Sequence, residues 1–342
     1  MTFQADPHRY DGRMPYRRCG RSGLDLPILS LGLWQNFGAS DVFETGRAMI
    51  RRAFDRGVTH FDLANNYGTP YGSAEDNFGR WMTSDLAPHR DELIISSKAG
   101  WDMWPGPYGG PSGSRKYVIA SCEQSLRRTT LDYFDIFYSH RMDETTPLEE
   151  TAGALVQLHR QGKALYVGIS AYTVEATIRM VELLASEGVP MLVHQPRYSL
   201  LHRDVEGGLL AELARVGAGC VVFSPLEQGL LSDRFLDGLP PSDSRLAKGI
   251  TITADRLTPA TIERLRALSA IAAKRGQSLA QMAIAWTLRD TRVTSAIIGT
   301  RTVRQLDELL DAANGPSFDE GELREIDLVT RAPANDPPDR RN

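Results

Sequence analysis

The sequence predicts a (β/α)8 TIM barrel, in which eight parallel strands close into a cylinder and the connecting helices cover its outer face. Eight short runs rich in aliphatic and β-branched residues alternate with longer segments of helical periodicity. Parallel strands need a crossover between them, and the intervening helices supply it. The chain has 342 residues, a length at which α/β barrels commonly form one domain.

The predicted strands are spread along most of the chain, and each of the first seven is followed by at least one plausible helix. They cover residues 28–33, 59–63, 93–97, 134–139, 165–169, 191–194, 220–223 and 293–298. A closing helix is predicted after the last strand, over residues 302–313. Eight such units favour a closed barrel over an open sheet.

The helix predictions depend on periodicity and on end signals. In segment 41–56, apolar or small side chains recur at spacings of three and four, which places them on one face. Asp41 followed by Glu44 predicts the start of this helix through a capping box, and Gly57 predicts its end. Segment 261–275 repeats the pattern.

An open, doubly wound nucleotide-binding sheet is the alternative fold. No G-x-G-x-x-G follows a candidate strand, and no G-x-x-x-x-G-K-[ST] occurs in the chain. Because those sheets hold phosphates with such loops, both absences favour the barrel.

The domain organisation follows from composition along the chain. We expect an N-terminal extension over residues 1–15, a single barrel domain over 16–331 that begins with a hairpin at 16–27, and a disordered tail over 332–342. Long connections at 100–114 and 225–258 are rich in glycine and proline. Loops of this length usually serve a site, so we expect them over the C-terminal face of the barrel.

The charge and cysteine content exclude several classes of protein. The formal net charge is −4, from 39 Lys and Arg against 43 Asp and Glu, which gives no overall electrostatic footprint for nucleic acid but leaves local basic patches open. Three cysteines without C-x-x-C spacing favour a reducing compartment. The N-terminus has no secretory signal, and no apolar run reaches the roughly 18 residues of a membrane span. We therefore expect a cytoplasmic protein with no membrane or nucleic-acid partner.

Polar residues capable of chemistry stand at most of the predicted strand ends. Active sites of such barrels lie at the C-terminal ends of the strands. The residues at these ends are, in order, Trp34, Asp62, Lys98, His140, Ser170, Gln195, Ser224 and Gly299.

Asp62, Tyr67, Lys98 and His140 form the clearest cluster. A tyrosine that protonates a carbonyl near neutral pH starts from a pKa of about 10, and a lowering by two to three units needs roughly 3–4 kcal/mol. The Lys98 ammonium can supply this, and Asp62 can keep Lys98 charged. His140 can orient the carbonyl. Taken singly, each residue has an ordinary structural explanation, but their occurrence together at one barrel face favours catalysis.

Motifs across residues 17–313 resemble those of the aldo-keto reductase superfamily. They are FDLANNYG, GSAEDNFGR, ISSKAG, DYFDIFYSHR, GKALYVGIS, HQPRYSLL, FSPLEQGLL and GQSLAQMAIAWTLRD. Within the superfamily, the chain is similar to the bacterial L-glyceraldehyde 3-phosphate reductases and to the β-subunits of voltage-gated potassium channels. The segment KAGWDMWPGPYGG is typical of that branch.

The resemblance implies NADPH-dependent reduction of small aldehydes, such as L-glyceraldehyde 3-phosphate or methylglyoxal, without a metal. It implies that Tyr67 is the general acid, that Asp62 and Lys98 tune it, and that His140 orients the carbonyl. Trp34 and Trp101 would shape the substrate pocket, with Trp34 also near the cofactor. The other implied cofactor contacts are Ser170, Gln195 and Phe223 at the nicotinamide, Ser224, Leu226, Gln228, Gly229 and Arg234 along the pyrophosphate, and Arg245, Gly299, Arg301, Gln305 and Glu308 at the adenosine.

Two departures from the family pattern fall at the adenosine end. Gln305 stands where many of these reductases have arginine, and Leu309 stands where related channel subunits have asparagine. Arg301 or Arg304 can still pair with a 2′-phosphate, which predicts a preference for NADPH over NADH. Both arginines can equally be solvated charges at a helix start.

Three further expectations concern the substrate, the core and assembly. Arg141 and Arg197 can each attract an anionic aldehyde, although surface salt bridges explain them equally well. Met282 and Trp286 are expected in the core. The resemblance implies a homo-oligomer.

Two other functions compete with the reductase. One is a regulatory protein that binds NADPH and a partner with slow turnover; His140 counts against it, because the resemblance implies asparagine there in channel subunits. The other is a barrel in which Lys98 forms a Schiff base with a carbonyl substrate. That role needs a neutral amine, whereas pairing with Asp62 favours the charged form.

Overall fold

A computed structural model of the chain describes residues 3–241, 244 and 256–331. Its first element is an antiparallel hairpin of β1 (Tyr16–Arg18) and β2 (Asp25–Pro27), as predicted. The Arg17 guanidinium donates to the carbonyl of Val293, ahead of the last barrel strand. The hairpin therefore covers the end of the barrel where the strands begin.

Eight strands form the predicted closed parallel barrel, in which the last strand pairs with both the first and its predecessor. They are β3 (Leu29–Gly32), β4 (His60–Asp62), β5 (Ile94–Ala99), β6 (Phe134–Ser139), β7 (Ala164–Ser170), β8 (Val193–Gln195), β9 (Gly219–Val222) and β10 (Ser295–Ile298). Each overlaps the strand predicted from the sequence. The fold class is confirmed.

Helices surround the barrel on its outer side. They are α1 (Phe43–Asp55), α2 (Ser73–Trp81), α3 (Arg115–Thr129), α4 (Leu148–Arg160), α5 (Val174–Ser186), α6 (Leu209–Val216), α7 (Pro259–Lys274), α8 (Leu279–Leu288), α9 (Val303–Leu310) and α10 (Glu320–Thr330). The apolar faces of these helices pack on the outside of the strands and form the main core.

One predicted helix start is wrong, and one helix was not predicted. The capping box at Asp41 is wrong: α1 begins at Phe43 after Val42, and the Asp41 carboxylate accepts a hydrogen bond from the backbone N–H of Gly38 at 3.0 Å instead. Helix α9, the predicted closing helix, is followed by α10, which was not predicted from the sequence. Asp319 caps α10 with a reciprocal capping box to Glu322, a local signal that was present in the sequence.

Several other expectations fall on the core and on the long connections. Met282 and Trp286 are fully buried, as predicted, and all three cysteines are buried and unpaired. Residues 100–114 contain no regular helix or strand, and the described part of 225–258 contains only short 3-10 turns. The predicted tail at 332–342 and the candidate residue Arg245 lie outside the described residues.

Within the described ranges, none of the helices combines the length and apolar character needed to cross a membrane.

Candidate active site

Three neighbouring strands bring the four predicted catalytic residues to the C-terminal face of the barrel. Asp62 is the last residue of β4, Lys98 lies near the end of β5, and His140 follows β6 directly. Tyr67 lies in the turn after β4. Because the strands are parallel and adjacent in the order β4, β5, β6, these side chains share one mouth.

Asp62 and Lys98 form a buried ion pair. The Lys98 Nζ atom lies 2.5 Å from Asp62 Oδ2, and it also donates to the carbonyl oxygen of Leu63 at 2.7 Å. The side chain of Lys98 has 0% exposure and that of Asp62 has 2%. At such depth an unpaired charge is costly, so each group depends on the other.

Two further donors complete the surroundings of the Asp62 carboxylate. Ser96 Oγ donates to Oδ1 at 2.8 Å, and Gln195 Nε2 donates to the same oxygen at 3.0 Å. With Lys98 on Oδ2, both carboxylate oxygens are satisfied. Gln195 comes from β8, so the carboxylate ties strands on different sides of the barrel together.

A chain of hydrogen bonds inside the barrel leads to Ser96. Ser295 and Ser30 lie 2.6 Å apart, Ser30 Oγ lies 2.8 Å from His60 Nδ1, and His60 Nε2 lies 3.0 Å from Ser96 Oγ. Because Ser96 gives its proton to Asp62, its oxygen accepts from His60 Nε2; the ring is neutral, so Nδ1 accepts from Ser30 Oγ. Burial, with the Lys98 charge, lowers the pKa of His60 to about 4 against the opposing Asp62 charge.

His60 and Ser96 were not among the site residues predicted from the sequence. His60 is two residues before Asp62 in HFD, and Ser96 is two residues before Lys98 in SSK. Side chains two residues apart point to the same face of a strand, so each pair points into the barrel. That signal was present but was not used.

The Tyr67 ring lies over the ion pair. Lys98 Nζ is 4.9 Å from the ring centroid, and the His140 ring centroid is 5.9 Å away with the two planes at 75°. The Trp34 ring lies on another side of Tyr67 at 6.5 Å. Tyr67 and His140 are half-buried, whereas Lys98 is enclosed beneath them.

The expected acidification of Tyr67 is wrong for this state of the site. Burial raises the pKa of Tyr67 well above its ordinary value, and the Asp62 charge acts in the same direction. The Lys98 ammonium is paired with Asp62 and does not offset these two effects on the pKa of Tyr67. Tyr67 is therefore a neutral phenol that carries its proton at neutral pH.

Burial also sets the protonation of Lys98 and His140. It lowers the pKa of Lys98, although Asp62 opposes the shift through its charge and its hydrogen bond. It holds the pKa of His140 well below the ordinary value, assisted by the charges of Lys98 and Arg141. His140 is thus a neutral imidazole at the mouth, and its buried Nδ1 atom has no hydrogen-bond partner among the described residues.

The predicted substrate residue Trp101 lies beside His140, and a hydrogen bond from α3 holds its backbone carbonyl. The two ring centroids are 6.3 Å apart at 84°. The Tyr117 hydroxyl donates to the Trp101 carbonyl, and Asn65 Nδ2 lies 3.0 Å from the same hydroxyl. Helix α3 therefore holds the start of the 100–114 connection against the barrel mouth.

The predicted nicotinamide contacts lie at the ends of β7, β8 and β9. Ser170 and Gln195 are register partners, and the Ser170 hydroxyl donates to the Gln195 carbonyl at 2.8 Å. Phe223 follows β9 and is half-buried. Gln195 contacts the Asp62 carboxylate directly, and the Ser170 hydroxyl joins this group through the Gln195 carbonyl.

The segment after β9 has the backbone of an anion-binding turn. Ser224, Glu227, Gln228 and Gly229 all have positive φ, at 55°, 47°, 59° and 99°. Left-handed residues in series direct backbone N–H groups into one concavity, which suits a phosphate. A Cβ on Gly229 would meet no atom within 4 Å, and Gln228 Oε1 is buried without a partner in the described part. Open space and an unsatisfied polar atom fit a ligand such as a dinucleotide.

The predicted adenosine contacts follow β10 or line the long connection. Gly299 and Glu308 are exposed, and the backbone N–H of Arg301 donates to Gln305 Oε1 at 3.0 Å. Leu226 is half-buried within the same turn as Gln228, and Arg234 is exposed in a 3-10 turn. Arg304 is exposed in the first turn of α9.

The structure separates the two arginines predicted to attract an anion. Arg197 is half-buried and forms an ion pair with the buried carboxylate of Glu227, which also accepts from Ser199 Oγ at 2.6 Å. Arg141 instead places its guanidinium over the Trp101 ring, 4.4 Å from the centroid. Arg197 therefore has a structural role in fixing the turn after β9.

Polar side chains gathered at the strand ends of a closed parallel barrel define a barrel enzyme. Residues 28–331 match the family model described as the aldo/keto reductase family. The chain belongs to that family and is an oxidoreductase, which confirms the resemblance seen in the sequence.

Among known proteins, the chain is similar to the L-glyceraldehyde 3-phosphate reductase of Escherichia coli K12. The two are 56% identical over 332 residues, which cover 96% of this chain and 95% of the relative. It is also similar to the "Probable voltage-gated potassium channel subunit beta" of Oryza sativa subsp. japonica, at 34% identity over 304 residues (87% and 91%). The corresponding protein of Arabidopsis thaliana is 33% identical over 309 residues (88% and 92%).

Proposed function

We propose that this chain reduces small aldehydes to alcohols with NADPH, using Tyr67 as the general acid. The observation that carries the proposal is the buried Asp62–Lys98 pair beneath the Tyr67 ring, with His140 at the same mouth. The 56% identity to an L-glyceraldehyde 3-phosphate reductase supports L-glyceraldehyde 3-phosphate as a substrate, with methylglyoxal as a second candidate.

The residues that would hold the cofactor fit a dinucleotide. Ser170 and Gln195 would hold the nicotinamide amide, Phe223 would stack on the ring, and the left-handed turn at Ser224 to Gly229 would receive the pyrophosphate. When bound, NADPH supplies a hydride. The adenosine end would be held by Gly299, Arg301, Gln305 and Glu308, with Arg301 or Arg304 on the 2′-phosphate.

Tyr67 moves a proton in this proposal. Its phenol carries a proton because burial raises its pKa, and that proton passes from Oη to the carbonyl oxygen as the carbonyl carbon is reduced. The phenolate left behind gains stabilisation from the adjacent Lys98 ammonium and then takes a proton from water. Asp62, held by Ser96 and Gln195, keeps that ammonium in place.

His140 orients the substrate. Its neutral ring can donate one hydrogen bond to the carbonyl oxygen, which directs the carbonyl toward Tyr67. Trp34 and Trp101 border the same mouth and would exclude water from the reacting carbon.

The first test is Tyr67→Phe, which removes the proton donor and keeps the ring. We expect kcat with methylglyoxal and NADPH to fall at least about 100-fold, with NADPH binding retained. The matched control is Tyr138→Phe, which removes another phenol hydroxyl near Lys98, whose Nζ lies 5.8 Å from that ring. Normal turnover in Tyr67→Phe, or an equal loss in both variants, contradicts the assignment of Tyr67.

The cofactor preference and assembly state have direct measurements. We expect a higher kcat/KM with NADPH than with NADH, and a reduced ratio in Arg301→Met if that guanidinium contacts the 2′-phosphate. Size-exclusion chromatography with light scattering tests the proposed homo-oligomer. Fractionation of the source cells tests the proposed cytoplasmic location.

A regulatory NADPH-binding protein is the second candidate, favoured by the 34% and 33% identity to proteins named as channel subunits. Tight NADPH binding and partner capture with negligible reduction of every aldehyde in a panel would support it. The Schiff-base alternative has less support, because Lys98 Nζ is engaged by both Asp62 and the Leu63 carbonyl. Borohydride trapping of a substrate on Lys98 would revive it.

A further inference from the structure

Arg141 is a cation at the barrel mouth, and it has no role in the proposed reaction. It follows His140 directly and is half-buried. It forms no ion pair among the residues that the structure describes, and its guanidinium lies 4.4 Å from the centroid of the Trp101 ring. An arginine held without a carboxylate has donors available for a ligand.

The position of Arg141 is built into the fold. A Cβ on Gly100 would lie 3.2 Å from Arg141 Cγ, 3.1 Å from its backbone N and 3.0 Å from His140 Cβ. Glycine at this position therefore makes room for the aliphatic stem of Arg141 against the end of β5. With Trp101 beneath the guanidinium, the side chain is ordered before any ligand binds, which lowers the entropic cost of binding.

The surrounding charges leave Arg141 uncompensated. The Lys98 ammonium is balanced by Asp62, and His140 is neutral because burial, Lys98 and Arg141 hold its pKa well below the ordinary value. The Asp143 carboxylate accepts from the Gly113 N–H at 2.8 Å and from two threonine hydroxyls, so it is engaged within its own loop. Arg141 is thus a cation without an ion-pair partner among the described residues, next to the residue that would orient the carbonyl.

We propose that Arg141 is a specificity-determining residue that binds the anionic group, phosphate or carboxylate, of a small aldehyde substrate. This inference depends on the proposed function, because it places the aldehyde of the same molecule at His140 and Tyr67. The planar guanidinium can give two parallel hydrogen bonds to an oxyanion, and its ring contact fixes their direction. The anion then binds a few bonds away from the carbonyl, which matches a three- or four-carbon aldehyde.

The test compares charged and neutral aldehydes in Arg141→Gln. The probes are glyceraldehyde 3-phosphate and succinic semialdehyde, against glyceraldehyde and methylglyoxal, all with saturating NADPH. We expect kcat/KM for a charged probe to fall at least about tenfold, mainly through KM, and the neutral probes to stay within about twofold. Arg141→Lys should recover part of the loss, since it restores charge without the fork.

The control is Arg127→Gln, which removes one exposed charge from α3 and should change no ratio. The wild-type preference for charged probes should also weaken with added salt, a measurement that needs no variant. Equal losses for charged and neutral probes, an unchanged ratio in Arg141→Gln, or a preference insensitive to salt would each overturn the role of Arg141. If the wild type reduces methylglyoxal and one of these results appears, the reductase function is retained and only the role of Arg141 fails. If the wild type reduces no aldehyde, the reductase function and the role of Arg141 both fail.

Discussion

Lys98→Met removes the ammonium that balances the Asp62 carboxylate and keeps a side chain of similar length. The carboxylate retains hydrogen bonds from Ser96 and Gln195, but it stays buried, with 2% exposure, and loses its ion-pair partner at 2.5 Å. Removing one member of a buried pair typically costs about 3–5 kcal/mol.

Proton uptake limits this cost and makes it depend on pH. An ordinary aspartate titrates near pH 3.9, so protonating it costs about 4 kcal/mol at pH 7 and about 1.5 kcal/mol at pH 5, at 1.36 kcal/mol for each pH unit. A carboxyl that is protonated in the folded variant takes up a proton on folding. The destabilisation by Lys98→Met is therefore expected at about 2–4 kcal/mol at pH 7, and at most about 1.5 kcal/mol at pH 5.

The assay is equilibrium urea unfolding at both pH values, followed by tryptophan fluorescence, with the wild type measured in parallel. The double variant Asp62→Asn/Lys98→Met is the control, because it removes the buried charge altogether; it should be more stable than Lys98→Met alone at pH 7. An equal loss at pH 5 and pH 7 would show that packing, and not the unbalanced charge, is responsible, and would refute the reasoning.

Two further predictions concern stability. Burial lowers the pKa of His60 to about 4, so as the pH falls the unfolded chain protonates this histidine before the folded protein does. The free energy of unfolding of the wild type therefore decreases as the pH drops from 6.5 toward 4. In urea unfolding, His60→Gln should lose about 2 kcal/mol less stability than the wild type between pH 7 and pH 5. Gly79→Ala should lower the thermal midpoint by an amount equivalent to about 1–3 kcal/mol, because the new Cβ would lie 2.2 Å from the backbone oxygen of Arg128. Gly207→Ala is its control, because Gly207 is exposed and a Cβ there would meet no atom within 4 Å, so the midpoint should change little; equal losses in both glycine variants would contradict the clash.

The sequence was sufficient for the barrel because the fold repeats one local pattern. Each strand is a short apolar run between turn residues, each helix has its own periodicity, and alternation of the two leaves few topologies. The boundaries moved by one or two residues at most strands, as at 59–63 against His60–Asp62. Helix α1 begins at Phe43, and the Asp41 carboxylate accepts from the Gly38 N–H instead of capping the helix, a contact that depends on loop geometry.

The four predicted catalytic residues could be located from the sequence because parallel strands bring their C-terminal ends together. The direction of the pKa shift of Tyr67 could not be predicted in the same way. The sequence predicts that the charge of Lys98 lowers the pKa of Tyr67, whereas burial raises it. Desolvation depends on every atom that surrounds the ring, and no local sequence pattern reports it.

The two candidate arginines show the same division. Both follow a barrel strand, and no local sequence pattern distinguishes them. The choice came from a carboxylate 30 residues away, since Glu227 pairs with Arg197 and leaves Arg141 over Trp101. Local order along the chain thus determined the architecture and the inventory of reactive groups. Only the tertiary structure decided which charges are balanced, because ion pairing and burial join residues that are distant in sequence.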